Sequence, residues 1–176
     1  MLSEKQRGVL RGIAAGLVIS IAGLIAVVLL APPFLLPRGT FPATLAVALA
    51  WDALIVVCLA VNIGALARHR FFTPQDIDGG GLSQGSAPAQ VLQATLQNTL
   101  EQVVLALAVH AVWATVMPLA WQAAVPFAVI LFVVGRVLFW RGYAAGAPAR
   151  ALGFALTFYP SALMLLTILG FLLFRR

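Results

Sequence analysis

The chain predicts an all-α integral membrane protein with five transmembrane helices. Three observations carry that expectation. Of its 176 residues, 62% are hydrophobic and only 9% charged, with a mean hydropathy of +1.04. A soluble core of this length cannot hide so much apolar surface, whereas a bilayer can. Five windows approach the roughly 20 apolar residues that span the hydrocarbon as a helix, and the arginines sit singly at their ends.

The first window is 9–31, "VLRGIAAGLVISIAGLIAVVLLA". It is too long for the apolar stretch of a signal peptide, and no clear small-residue cleavage site precedes the "PPFLLP" that ends it. A Pro-rich connector, 32–42, leads to the second span at 43–67. Residues 68–89, "RHRFFTPQDIDGGGLSQGSAPA", form a loop punctuated by Pro, three consecutive glycines and Ser. The third helix is expected over about 89–116 and stops near Pro118. The fourth covers about 122–145 and the fifth about 149–174.

Orientation follows from the short loops. A cytoplasmic N-terminus puts Lys5, Arg7, Arg11, Arg68, Arg70, Arg141 and Arg150 on that side, against Arg38, Arg175 and Arg176 opposite. We expect N-in and C-out, in a bacterial inner membrane. The net charge of +6 does not point to nucleic acid, because no long basic run exists. Cys58 is the single cysteine, so no intramolecular disulfide can form. "DIDGGG" lacks the full spacing of a calcium loop and reads as a solvated turn. No metal site is expected.

The stretch "LQNTLEQVVLALAVH", 96–110, stands out, because its apolar second half follows Gln97, Asn98, Glu101 and Gln102. Asn98 and Glu101 lie one turn apart, and Gln90, Gln93, Gln97 and Glu101 share helical spacing. Ionisable groups inside a membrane are costly and face a partner or a water-filled cavity. Glu101 with Arg136 is the natural pair. Arg136, Phe139 and Tyr143 make one stripe on the fourth helix. The fifth opens with "APARA", where Pro148 suits a first turn and Arg150 adds a cation to the free N–H groups of a helix start. Asp52 is a second buried carboxylate with no evident partner. His110 reads as a packing or interhelical hydrogen-bond residue, and Asn62 as helix-packing glue.

These motifs resemble those of the MAPEG family, the membrane-associated proteins in eicosanoid and glutathione metabolism. "NTLE" is similar to its N-x-x-E signature, and "VVGRVLFWRGYAAGAPARA" to its R-x-x-[YH]-x-x-x-Y segment and following arginine. "FFTPQD" resembles its F-x-x-P-E-D. The spacing from Tyr143 to Arg150 is similar to that in leukotriene C synthases. The likeness covers about residues 43–172. It implies a four-helix bundle over 43–176 with an extra N-terminal helix and connector over 1–42. It also implies a homotrimer with glutathione between protomers as co-substrate. By position, Asn98, Glu101, Arg136 and Tyr143 would bind glutathione, and Arg150 would activate its thiol.

Departures accompany the likeness. Ala94 and Gln97 stand where arginines usually precede N-x-x-E, Phe139 replaces a hydroxyl or imidazole, and Ala65 stands near an expected arginine. The function expected is a glutathione-dependent transferase or peroxidase acting on a lipophilic electrophile drawn from the bilayer. The alternative is a non-catalytic lipid-binding scaffold of the same family. An ion path through Glu101, Asp52 and Arg136 fits less well, since no broken helix or internal repeat accompanies it.

Overall fold

The computed structural model describes residues 2–30 and 41–174, with side chains from residue 43 onward in the second segment. It contains five long helices: α1 (Glu4–Leu30), α2 (Phe41–Phe72), α3 (Ala87–Val116), α4 (Ala124–Tyr143) and α5 (Ala147–Phe174). All five are long and apolar enough to cross a membrane, and the chain is a multi-pass integral membrane protein. Their bounds follow the expected windows within a few residues, extending α1 and α2 into polar sequence. Residues 31–40, most of the Pro-rich connector, lie outside the described residues, as do Arg175 and Arg176.

Each neighbouring pair is held by a different device. At the α2–α3 hairpin, Asp76 accepts from the Ser86 backbone N–H at 2.7 Å and the Ser86 hydroxyl at 2.6 Å, with His69 Nε2 at 2.8 Å. Ser86 in turn caps α3 by accepting from the Ala89 N–H. The Ser86 hydroxyl, then its backbone N–H, hold the Asp76 carboxyl below the usual carboxylate range. The expected solvated turn is therefore corrected at its first residue: Asp76 is buried and ties the loop to the helix. Further along the hairpin, the Thr44 hydroxyl donates to the Ala114 carbonyl at 3.0 Å.

Between those ends, Asp52 of α2 meets His110 of α3, Oδ1 to Nδ1 at 2.6 Å, with both side chains buried. His110 is thus an interhelical hydrogen-bond residue, as expected, and it supplies the partner that Asp52 lacked in the sequence. Asn62 is buried, and its amide donates to the Cys58 carbonyl of its own helix.

The antiparallel α4 and α5 approach until their backbones touch. A Cβ on Gly135 would stand 2.7 Å from the Gly153 carbonyl oxygen, so only glycine permits this separation. Gly146, at φ +97°, turns the chain between the two helices. Helix α1 runs parallel to α5, with Gly8, Gly12 and Gly16 seated on Pro148, Ala151 and Ala155. Such small residues let two helices close in van der Waals contact, the main attraction left when lipid is as apolar as Leu. The core between α2, α3, α4 and α5 is filled by Ile55, Val103, Val129, Phe132, Met164 and Ile168. At the α3–α4 connection, Trp113 donates to the Trp121 carbonyl at 3.1 Å and Gln122 to the Met117 carbonyl at 3.0 Å.

Candidate functional site

Arg136 is fully buried near the loop end of α4. Its Nη1 donates to Asn98 Oδ1 at 2.9 Å and to Thr99 Oγ1 at 3.4 Å, and its Nη2 donates to Thr157 Oγ1 at 2.6 Å. The two hydroxyls can accept because each spends its own proton on its helix: Thr99 donates to the Thr95 carbonyl and Thr157 to the Phe154 carbonyl. The guanidinium also lies 4.5 Å from the Phe139 ring centroid and 5.6 Å from that of Phe132, where the negative ring faces favour a cation. Its Nε has no partner among the described residues. A buried cation is therefore held by neutral oxygens and aromatic rings, and no carboxylate of the described residues pairs with it.

This overturns the expected Glu101–Arg136 pair. Glu101 is exposed on the adjacent, outward flank of α3 and accepts a hydrogen bond from Gln97 at 3.0 Å. The reason is the helix turn. Thr95, Thr99, Gln102 and Ala106 face the bundle, which leaves Gln97, Leu100, Glu101 and Val104 on the outer surface. Asn98 sits at the boundary and belongs to the inner group.

Asn98, Tyr143 and Arg150 come together on the wall of a cavity of about 310 Å³. Tyr143, from the last turn of α4, lies under the Arg150 guanidinium at 4.2 Å from its ring centroid. The Phe139 ring packs edge-on against Tyr143, 5.4 Å between centroids. Arg150 is the fourth residue of α5. Pro148 has no N–H, and the Arg150 N–H bonds back to Gly146, so the side chain supplies more of the local positive field than the helix start does.

Arg136 is not on this wall but stands behind Asn98. Arginine has only donors, so it forces the Asn98 carbonyl oxygen toward itself. The amide's two N–H donors are left free of that bond, on a residue lining the cavity. The polar half of the wall is thus built of donors and a cation, and none of its lining residues is acidic. Val9, Ile13, Ala151 and Phe154 form the apolar half.

Four of the five expected site residues are therefore gathered at or just behind one cavity, and Glu101 is not. Sequence reasoning missed Thr99 and Thr157, which hold Arg136, and Val9 and Ile13 from α1. The signal for α1 was present in the spacing of Gly8, Gly12 and Gly16, which marks a helix face meant for close packing. Ala94 and Gln97, where arginines were expected, line a separate cavity of about 450 Å³ together with Arg70 and Gln93. Arg70 Nη2 donates to Gln93 Oε1 at 3.0 Å, so a cation from α2 stands beside that face of α3.

Residues 44–170 match the MAPEG family. The chain belongs to the MAPEG family. The match includes α3, α4 and most of α5 and begins beyond α1. No curated protein and no solved structure matches the chain. As a MAPEG protein it is a membrane protein of a glutathione-associated family, in contact with the lipid bilayer.

Proposed function

We propose that the chain is a glutathione-dependent transferase or peroxidase acting on lipophilic electrophiles. The observation that carries this reading is the donor-rich, acid-free half of the Asn98–Tyr143–Arg150 cavity. Such a wall suits an anionic tripeptide and, above all, a thiolate. Asn98 donates to a carboxylate of the tripeptide, Arg136 holds Asn98 in that orientation, and Tyr143 lines the same site. Arg150 stabilises the sulfur anion.

The magnitudes are sufficient. A free thiol has a pKa of about 8.5, and lowering it by two units requires about 2.7 kcal/mol of preferential thiolate stabilisation. A guanidinium at contact in a partly desolvated site supplies that much. With an α,β-unsaturated carbonyl, the thiol proton leaves to solvent and a sulfur–carbon bond forms at the β-carbon. The π pair moves to the carbonyl as an enolate, which solvent then protonates.

The functional unit we propose is a homotrimer with the N-terminus cytoplasmic. Glu101 supports the assembly: a carboxylate exposed beside Leu100 and Val104 on a membrane helix is costly in lipid. A second copy that covers this face would remove the cost. Native mass spectrometry tests the stoichiometry, and a monomer with full activity would defeat it.

The site is tested by thiolate ultraviolet absorbance against pH, with conjugation of a generic electrophile. Arg150→Ala is expected to leave glutathione bound, raise the bound thiol's pKa by up to about two units and slow conjugation at neutral pH by up to about a hundredfold. Arg150→Lys recovers part of this, since charge survives while the planar fork is lost. Equal rates in Arg150→Ala and wild type would remove the activating role. A wild-type protein that binds lipophilic probes without thiolate or conjugation would instead be the scaffold.

A further inference from the structure

The apolar half of the cavity is not made by the family-matched segment alone. Val9 and Ile13 belong to α1, whereas the match begins at residue 44. They line it together with Phe154 and Ala151 and with the donor-bearing Asn98 and Arg150. The helix that carries them is fixed in depth and rotation, because Gly8, Gly12 and Gly16 are locked on Pro148, Ala151 and Ala155. Its other flank, with Val18, Ile19 and Ile25, is exposed and meets lipid. One side of α1 thus faces the bilayer and the other faces the site.

From this geometry we infer that α1 is the specificity wall of an apolar acceptor subsite, with Val9 and Ile13 setting the length of alkyl chain that the cavity takes. The inference rests on the transferase reading for the reaction, but the subsite itself rests on the cavity. Its occupant is the apolar body of an amphiphilic electrophile whose reactive carbon lies toward Arg150. Two features fit that occupant: the lining shared with Arg150 includes the aliphatic and aromatic Val9, Ile13 and Phe154, and α1, which supplies two of them, is exposed along its other flank. Ile13 lies deeper along α1 than Val9, so it meets the far end of the chain.

The test uses the full-length protein as wild type, Ile13→Ala, Ile13→Trp and, as a control on the lipid flank, Ile19→Trp. kcat/KM is measured over a homologous series of alkyl α,β-unsaturated aldehydes, beside the thiolate absorbance of bound glutathione. Ile13→Ala should move the optimum to longer chains and Ile13→Trp to shorter ones, each changing the longest-to-shortest ratio by roughly tenfold. Thiolate absorbance should stay at the wild-type level in both, and Ile19→Trp should match wild type throughout. A uniform change along the series, or the same shift in Ile19→Trp, overturns the wall. If wild type forms no thiolate, the glutathione reading has failed and the wall is read from a dansyl-tagged alkyl carboxylate instead. Ile13→Trp should then weaken that probe roughly tenfold and Ile19→Trp should not; equal affinities overturn the proposal.

Discussion

Asp52 with His110, and Arg136 with its neighbours, both sink ionisable groups among apolar helices, and they do so in opposite ways. The first is an Oδ1–Nδ1 pair at 2.6 Å between α2 and α3, with Asp52 Oδ2 and His110 Nε2 buried and unpartnered among the described residues, and neither residue lines the cavities described above. The second is a cation spread over three oxygens and two rings, one residue away from open space. A pair of complementary groups on two helices joins them. A cation left without a carboxylate beside a cavity keeps attraction in reserve for an anion. The lesson is that incomplete compensation of a buried ionisable group, present at both places, marks a site only where a cavity adjoins it.

The largest effect expected is on the Asp52–His110 pair. Asp52→Ala or His110→Ala leaves one polar group buried alone and should cost about 3–5 kcal/mol of stability. The combined Asp52→Val and His110→Leu chain should regain most of it, because an apolar pair needs no compensation. Unfolding in mixed detergent micelles measures all three. If the double variant is as unstable as the singles, the pair has a role beyond joining the helices, and the contrast fails.

A smaller effect sharpens the other side. Arg136→Lys keeps the cation but cannot bridge Asn98 and Thr157 together, so about one hydrogen bond, near 1 kcal/mol, is lost. Because Arg136 acts through Asn98, KM for glutathione should rise severalfold with kcat little changed. A fall in kcat at constant KM would place Arg136 in contact with the reacting atoms instead. Asn98→Ala should reproduce the KM effect, and the two substitutions together should not add.

The smallest effect lies outside the bilayer, at Asp76. Its folded pKa is depressed by the Ser86 hydroxyl and N–H, so its stabilising contribution is complete above the unfolded value of about 3.9. It drains away as pH falls through the lower folded value. Hydrogen exchange at the first turn of α3 should therefore be insensitive to Asp76→Asn's pH response above about pH 5. Below about pH 4, wild-type protection should decline while Asp76→Asn stays flat. A wild-type loss of protection near neutral pH would assign the pH response to another group.

The five spans were legible because length and apolarity are properties of composition, and lipid asks little else of a helix. Helix rotation was harder. The carboxamide and carboxylate of "NTLE" lie on adjacent flanks of α3, and only the inward course of Thr95, Thr99 and Gln102 decides which faces Arg136. The Asp52–His110 pair was within reach: an antiparallel hairpin closed by the loop at 73–86 brings the two positions to one level. Reading the polar residues helix by helix hid it. The role of α1 was obscured for a different reason, since Gly8, Gly12 and Gly16 look like ordinary apolar filler until the helix they pack on is known.

The backbone contact between Gly135 and Gly153 has a mechanical consequence. Two helices that touch through their main chains have no side chains between them to rearrange, so α4 and α5 move as one body. Phe139 and Tyr143 on one, and Arg150 and Phe154 on the other, keep their spacing whatever passes through the cavity. Any widening that admits a bulky molecule must then come from the walls that are not welded to each other. Helix α1 is likewise seated on the backbone of α5 through Gly12, so the wall left to yield is α3 at Asn98, which meets α4 through the side chain of Arg136. Millisecond exchange, measured by relaxation dispersion on methyl-labelled protein, should accordingly be concentrated at Leu96 and Leu100 beside Asn98 and be quiet at Val9, Ile13 and Leu156.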